Sequence, residues 1–100
     1  MTDGAARRID AAAVPRLRPH VRLQFSEPRQ QWIVQAPERV LMPDETALSV
    51  LKLCDGVATV GAIAEALARQ YEAPRDVVEG DVMEMLQDLA DKGIIVDARD

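Results

Sequence analysis

Residues 31–54 read QWIVQAPERVLMPDETALSVLKLC, and the change of rhythm inside this stretch decides the fold. Before Pro43 the side chains alternate: Trp32, Val34 and Ala36 form one row and Gln31, Ile33 and Gln35 the other, as on a pleated strand. After Pro43 the spacing lengthens, and Ala47, Leu48, Val50, Leu51 and Cys54 share one face of a helix. Between the two, Pro37 lacks an N–H and interrupts the ladder, Val40, Leu41 and Met42 form a third short extended run, and Pro43 ends it. Asp44 is placed to cap the helix, because its carboxylate can accept from the first-turn N–H groups, and Glu45 complements the positive end of the dipole.

Upstream, Val21, Leu23 and Phe25 alternate with His20, Arg22 and Gln24, which predicts a half-buried strand. Glu27-Pro28-Arg29-Gln30 then supplies a turn with Pro28 at the second position of type I, so the two strands make a hairpin. Residues 1–19 are small and without sustained period, and are expected to form a flexible N-terminal arm anchored only by Ile9, Val14 and Leu17. Downstream, Asp55-Gly56 stops the first helix, Thr59 caps a second, and Val60, Ile63, Leu67 and Tyr71 make its stripe. Pro74 opens a third helix along which Val78, Val82, Met85, Leu86 and Leu89 recur, with Gly93 ending it before Ile94-Ile95-Val96. Gly80 inside this helix costs about 1 kcal/mol relative to Ala. The expected fold is α+β: a three-stranded antiparallel sheet followed by three helices, similar to a winged helix-turn-helix, as a single domain over residues 20–97.

With 100 residues, 48% hydrophobic and 29% charged, the chain can close one mostly aliphatic core. Its charge is uneven. Up to Pro43 there are seven Arg and four acids, a balance of +3, and from Asp44 onward five bases and thirteen acids, a balance of −8. The third helix carries Asp76, Glu79, Asp81, Glu84, Asp88 and Asp91 against Arg75 and Lys92, so groove insertion into DNA would be repelled and no nucleic-acid partner is expected. A single cysteine and the lack of a signal-like apolar run point to a cytoplasmic protein without a membrane partner.

Catalytic groups are sparse. His20 is the only imidazole and reads as a solvated residue at a strand start. Cys54 lies near a helix C-terminus, where the dipole opposes a thiolate, and reads as a small core residue. The five glycines are too scattered for a phosphate loop. No catalytic residue, metal site or cofactor is expected, which leaves binding. The third extended run, if it lies at the sheet edge, offers free N–H and C=O groups to a guest strand, although its prolines can equally serve to blunt that edge against aggregation.

The ordered series Pro15-Arg16-Leu17, Val21-Arg22-Leu23, Trp32-Ile33-Val34, Ala36-Pro37-Glu38-Arg39-Val40, Glu45-Thr46-Ala47 and Leu51-Lys52-Leu53-Cys54-Asp55-Gly56 resembles the PqqD family of pyrroloquinoline quinone (PQQ) biosynthesis. The likeness continues through Thr59-Val60, Ile63, Leu67, Asp81-Val82, Leu86, Leu89 and Gly93. It implies a non-catalytic peptide chaperone, a recognition element that holds the precursor peptide PqqA and presents it to the radical S-adenosylmethionine enzyme PqqE. It also implies a leader peptide added as a strand beside the third strand and lying against the third helix. Carried onto this chain, Pro37 and Glu38 would set the entry and Arg39, Val40, Leu41 and Met42 would be the edge. Val78, Asp81, Val82 and Met85 would wall the groove, and Val78, Val82 and Met85 can equally be core. Two other readings stay open, a self-associating interaction module and a winged-helix regulator. So does the choice between monomer and dimer, since an edge strand and an arm permit domain swapping.

Overall fold

In the computed structural model, which describes residues 8–99, eight elements follow one another. They are β1 (Pro15–Leu17), β2 (Arg22–Ser26), β3 (Gln31–Ala36), β4 (Arg39–Leu41), α1 (Glu45–Lys52), α2 (Val60–Tyr71), α3 (Arg75–Asp91) and β5 (Ile95–Asp97). The expected antiparallel sheet is present in the order β2-β3-β4, followed by the three helices. A second, two-stranded sheet pairs β1 with β5.

Local chemistry accounts for the element ends. Asp44 accepts from the Ala47 N–H at 2.8 Å, and Thr59 Oγ1 accepts from the Ala62 N–H at 3.1 Å. Gly93, at φ 78°, closes α3: its N–H reaches the Ala90 carbonyl and the Ile94 N–H the Leu89 carbonyl, while Ile94 and Leu89 are both buried. Gln30 N–H bonds the Glu27 carbonyl across the β2–β3 turn, where Pro28 was expected. Val34, Val50, Leu51, Ile63, Leu67, Val82, Leu86, Ile94 and Ile95 form the shared core.

The expected flexible arm over residues 1–19 needs correction. Residues 1–7 lie outside the described residues, but residues 8–19 belong to the domain. Ala13 and Pro15 are buried, and β1 lies in register with β5, Arg16 opposite Val96. The carbonyls of Ala11 and Ala13 accept from the Gly61 and Val60 N–H groups at 2.9 and 2.8 Å. The Val60 and Gly61 donors at the start of α2 are thereby satisfied from outside the helix. Ile9 N–H also bonds Gln87 of α3 at 2.8 Å.

Asp97, the buried acid of β5, locks this arrangement. Its Oδ1 accepts from the Val14 and Arg99 N–H groups, each at 3.0 Å, and its Oδ2 from Arg99 Nε and Nη2 at 2.8 and 2.6 Å. Burial by itself disfavours the charge, but the Arg99 side chain and the two backbone donors outweigh it and bring the carboxyl down to about 2. Arg99 also reaches Asp10 at 3.1 Å.

Two strand details also differ from expectation. His20 lies in a turn at φ 71° rather than in β2, and Ile33, on the row read as polar, is buried. Its cross-strand partner is Gln24, whose side-chain amide donates to Gln35 at 2.8 Å on the same face.

Candidate functional site

β4 begins directly after the Pro37-Glu38 turn, with Ala36 opposite Arg39, Gln35 opposite Val40 and Val34 opposite Leu41. A two-residue connection makes Ala36 and Arg39 the hydrogen-bonded closing pair, and antiparallel alternation then turns the Val40 N–H and C=O away from β3. Among the described residues no strand pairs with the other side of β4. Pro37 holds φ near −65°, and Glu38 is absent from the left-handed region, so the turn is not one of the mirror-image types that match strand twist. Strands joined this way splay, consistent with a ladder that stops at Leu41 and leaves Met42 outside it. Val40 and Met42 are exposed, while Leu41 packs against the core.

Val78, Asp81, Val82 and Met85 are brought together, lining an apolar cavity of about 200 Å³ with Thr46 and Val50 of α1 and Leu67 and Tyr71 of α2. Val82, at 3% exposure, is core and cavity floor at once, and Val78 and Met85 pack on the core while lining the opening. Tyr71 Oη and Ser49 Oγ share a hydrogen bond of 2.8 Å. Thr46 and Tyr71 were not singled out as site residues. The signal in the sequence is that Tyr71 ends the α2 stripe, one turn past Leu67; in the fold 45% of it stays exposed.

Pro37, Glu38 and Arg39 do not join that cavity. They line a separate cleft of about 260 Å³ with Arg18, Pro19, Lys92 and Gly93. The candidate site is therefore divided between two cavities: the Arg39 end of β4 shares the cleft with Lys92 and Gly93 just past α3, and from the other end of β4 the chain continues to α1, which shares the apolar cavity with α2 and α3.

Thiol chemistry is absent from this arrangement. Burial first, then the adjacent Asp55 charge, pushes the Cys54 thiol up to about 12, and its Sγ donates to the Val50 carbonyl at 3.3 Å. Asp55 accepts from the Ala58 and Val57 N–H groups at 2.9 Å, which holds its carboxyl below the usual range and makes it a loop brace. Gly56, at φ 80°, donates to the Pro15 carbonyl at 3.0 Å, so Cys54-Asp55-Gly56 serves the fold. Among the described residues no group of three or more His, Cys, Asp or Glu converges as metal ligands.

This architecture has relatives. The chain is 52% identical over 98 residues to the PqqA binding protein of Rhodopseudomonas palustris, covering 96% of each. It matches the solution structure of the PqqD truncation of Methylobacterium extorquens PqqCD, described as a functional, stand-alone recognition element for ribosomally synthesized and post-translationally modified peptides. There the identity is 40%, the TM-score 0.77, and the match covers 91% of this chain and 97% of that one. Lasso peptide synthetase B1, solved with its leader peptide, shares the fold alone, at 24% identity and a TM-score of 0.68 over 84% of this chain and 99% of that one. Residues 31–95 match the family described as Coenzyme PQQ synthesis protein D, and this span holds β3, β4 and all three helices. Sequence, fold and relatives agree, and the chain belongs to the PqqD family.

Proposed function

We propose that this chain is a non-catalytic, cytoplasmic peptide chaperone of PQQ biosynthesis that captures the precursor peptide PqqA by strand addition at β4 and presents it to the radical enzyme PqqE. The observation that carries the reading is the edge of β4, unpaired among the described residues, in a chain half identical to a PqqA binding protein; from β4 the chain runs directly into α1, which helps line the apolar cavity. An added strand would bond the Val40 N–H and C=O, and an apolar side chain of the guest would enter the cavity beside Val78 and Met85. Main-chain bonds supply affinity and the cavity supplies selectivity. Ordering a flexible peptide spends roughly 2–5 kcal/mol of the interaction, so capture is expected near micromolar.

Amide shift mapping of the labelled chain with synthetic PqqA tests the reading. Shifts should concentrate on residues 39–42 and 78–85. Calorimetry showing no heat at about tens of micromolar protein, a range set by that expected affinity, or shifts confined to β1 and β5, would overturn it. Presentation is tested separately: PqqE should bind the loaded complex without displacing the peptide. Sizing with and without peptide distinguishes capture by a monomer from competition with a swapped or edge-paired dimer.

A further inference from the structure

We infer that the cleft at the Arg39 end of β4 is a subsite for a carboxylate side chain of the captured peptide, which rests on the strand-addition reading above. Arg18, Arg39 and Lys92 line it, and Glu38 is its one acidic wall residue. Each base is set there by backbone. Arg18 N–H bonds the Ile94 carbonyl at 3.0 Å and its own carbonyl receives the Val21 N–H at 3.1 Å. Arg39 is fixed by pairing with Ala36, and Lys92 is the C-cap of α3. Lys92 is already engaged, with Nζ 3.0 Å from Asp88. Among the described residues, neither Arg18 nor Arg39 has a carboxylate within ion-pair distance. In a chain of net charge −5, two guanidiniums that have no ion-pair partner among the described residues and line one cleft beside a strand edge ask for an anionic guest group.

The fold also sets the spacing. From Val82 in the apolar cavity to Lys92 in the cleft is ten helical residues, about 15 Å at 1.5 Å per residue. An extended guest covers that with about four or five residues at roughly 3.3 Å each. Because β4 runs from the cleft toward α1, a guest added antiparallel meets the cavity first, so its acid lies C-terminal to its apolar anchor; a parallel guest reverses the order.

The experiment is a double-mutant cycle by calorimetry between Arg18→Gln or Arg39→Gln and synthetic PqqA peptides in which each Asp or Glu is replaced singly by Asn or Gln. We expect each Arg variant to weaken binding about fivefold, the scale of a partly exposed charged contact. One peptide acid should account for that loss, so that its amide form weakens binding to the parent protein but adds little in the Arg variants. Arg39→Lys should retain most of the affinity, and unchanged amide spectra of the free variants exclude misfolding. Full additivity at every peptide acid, or parent-like binding by both Arg variants, overturns the subsite while leaving strand addition standing. Failure of the parent protein to bind PqqA at all, or binding away from β4, overturns both.

Discussion

β1 and β4 are each three residues long and each pairs with one antiparallel strand, yet they are opposite in what surrounds them. β1 and its partner β5 are clasped: Asp97 gathers Val14 and Arg99, the Ala98 N–H bonds the Val14 carbonyl, and Arg16 bridges to Asp55. β4 has prolines on both sides, exposed Val40 and Met42, and one pairing partner among the described residues. A short strand is thus either locked in place by side chains and paired termini or left with one edge free among the described residues. Strand length and β-propensity do not distinguish the two; what the rest of the chain places alongside does.

The sharpest challenge to this contrast is a matched truncation. Ile95→Ala in β5, at 1% exposure, should destabilise the fold by about 2–4 kcal/mol in urea titration, whereas Leu41→Ala in β4, half-buried, should cost about 1–2 kcal/mol. Equal losses would mean that β4 is as integral to the core as β5.

Next comes the clasp itself. The Asp97 carboxyl sits at about 2 in the fold against an ordinary 3.8, so its contribution is complete above about pH 4 and is lost as pH falls through about 2. That difference corresponds to about 2 kcal/mol. Asp97→Asn should be less stable than the parent by about that amount at neutral pH, with the gap closing between about pH 4 and pH 2. A gap that persists unchanged at low pH would show that shape rather than charge holds the clasp.

A smaller effect is expected on α3, which packs against β5. A Cβ at Gly80 would meet no atom within 4 Å, so Gly80→Ala should raise stability by about 0.5–1 kcal/mol, read as an upward shift in the denaturant midpoint. Least disturbing to the fold is Val40→Pro, which deletes an outward N–H that the ladder does not use and should change stability by no more than about 0.5 kcal/mol. The same variant should lose peptide capture at least tenfold, whereas Leu41→Pro should lose both capture and stability. Retained capture by Val40→Pro would place the guest elsewhere.

Much of the architecture was legible from short-range chemistry. Alternation marked β2 and β3, Asp44 and Thr59 announced two helix starts, and Gly93 announced the end of α3, because each signal acts within a few residues of itself. The apolar face Val78, Val82 and Met85 could be read from spacing, but whether it was core or cavity could not, since that depends on how far α1 stands off α3. The grouping of the site shows the same limit. Arg39 of β4 and Val78 line different cavities, because Arg39 shares its cleft with Lys92 just past the end of α3 whereas Val78 lies in the first half of that helix.

By itself, the order of residues determined the three-stranded sheet, the three helices and the short third strand between two prolines, since strand period, capping and proline geometry are properties of neighbouring residues. Only the tertiary structure decided that residues 8–19 belong to the domain, that Asp97 is held as a buried ion, and that Arg18 meets Arg39 and Lys92. Each of these joins residues far apart in the chain, and no local pattern encodes which distant partner will satisfy a free carbonyl, a carboxylate or a strand edge.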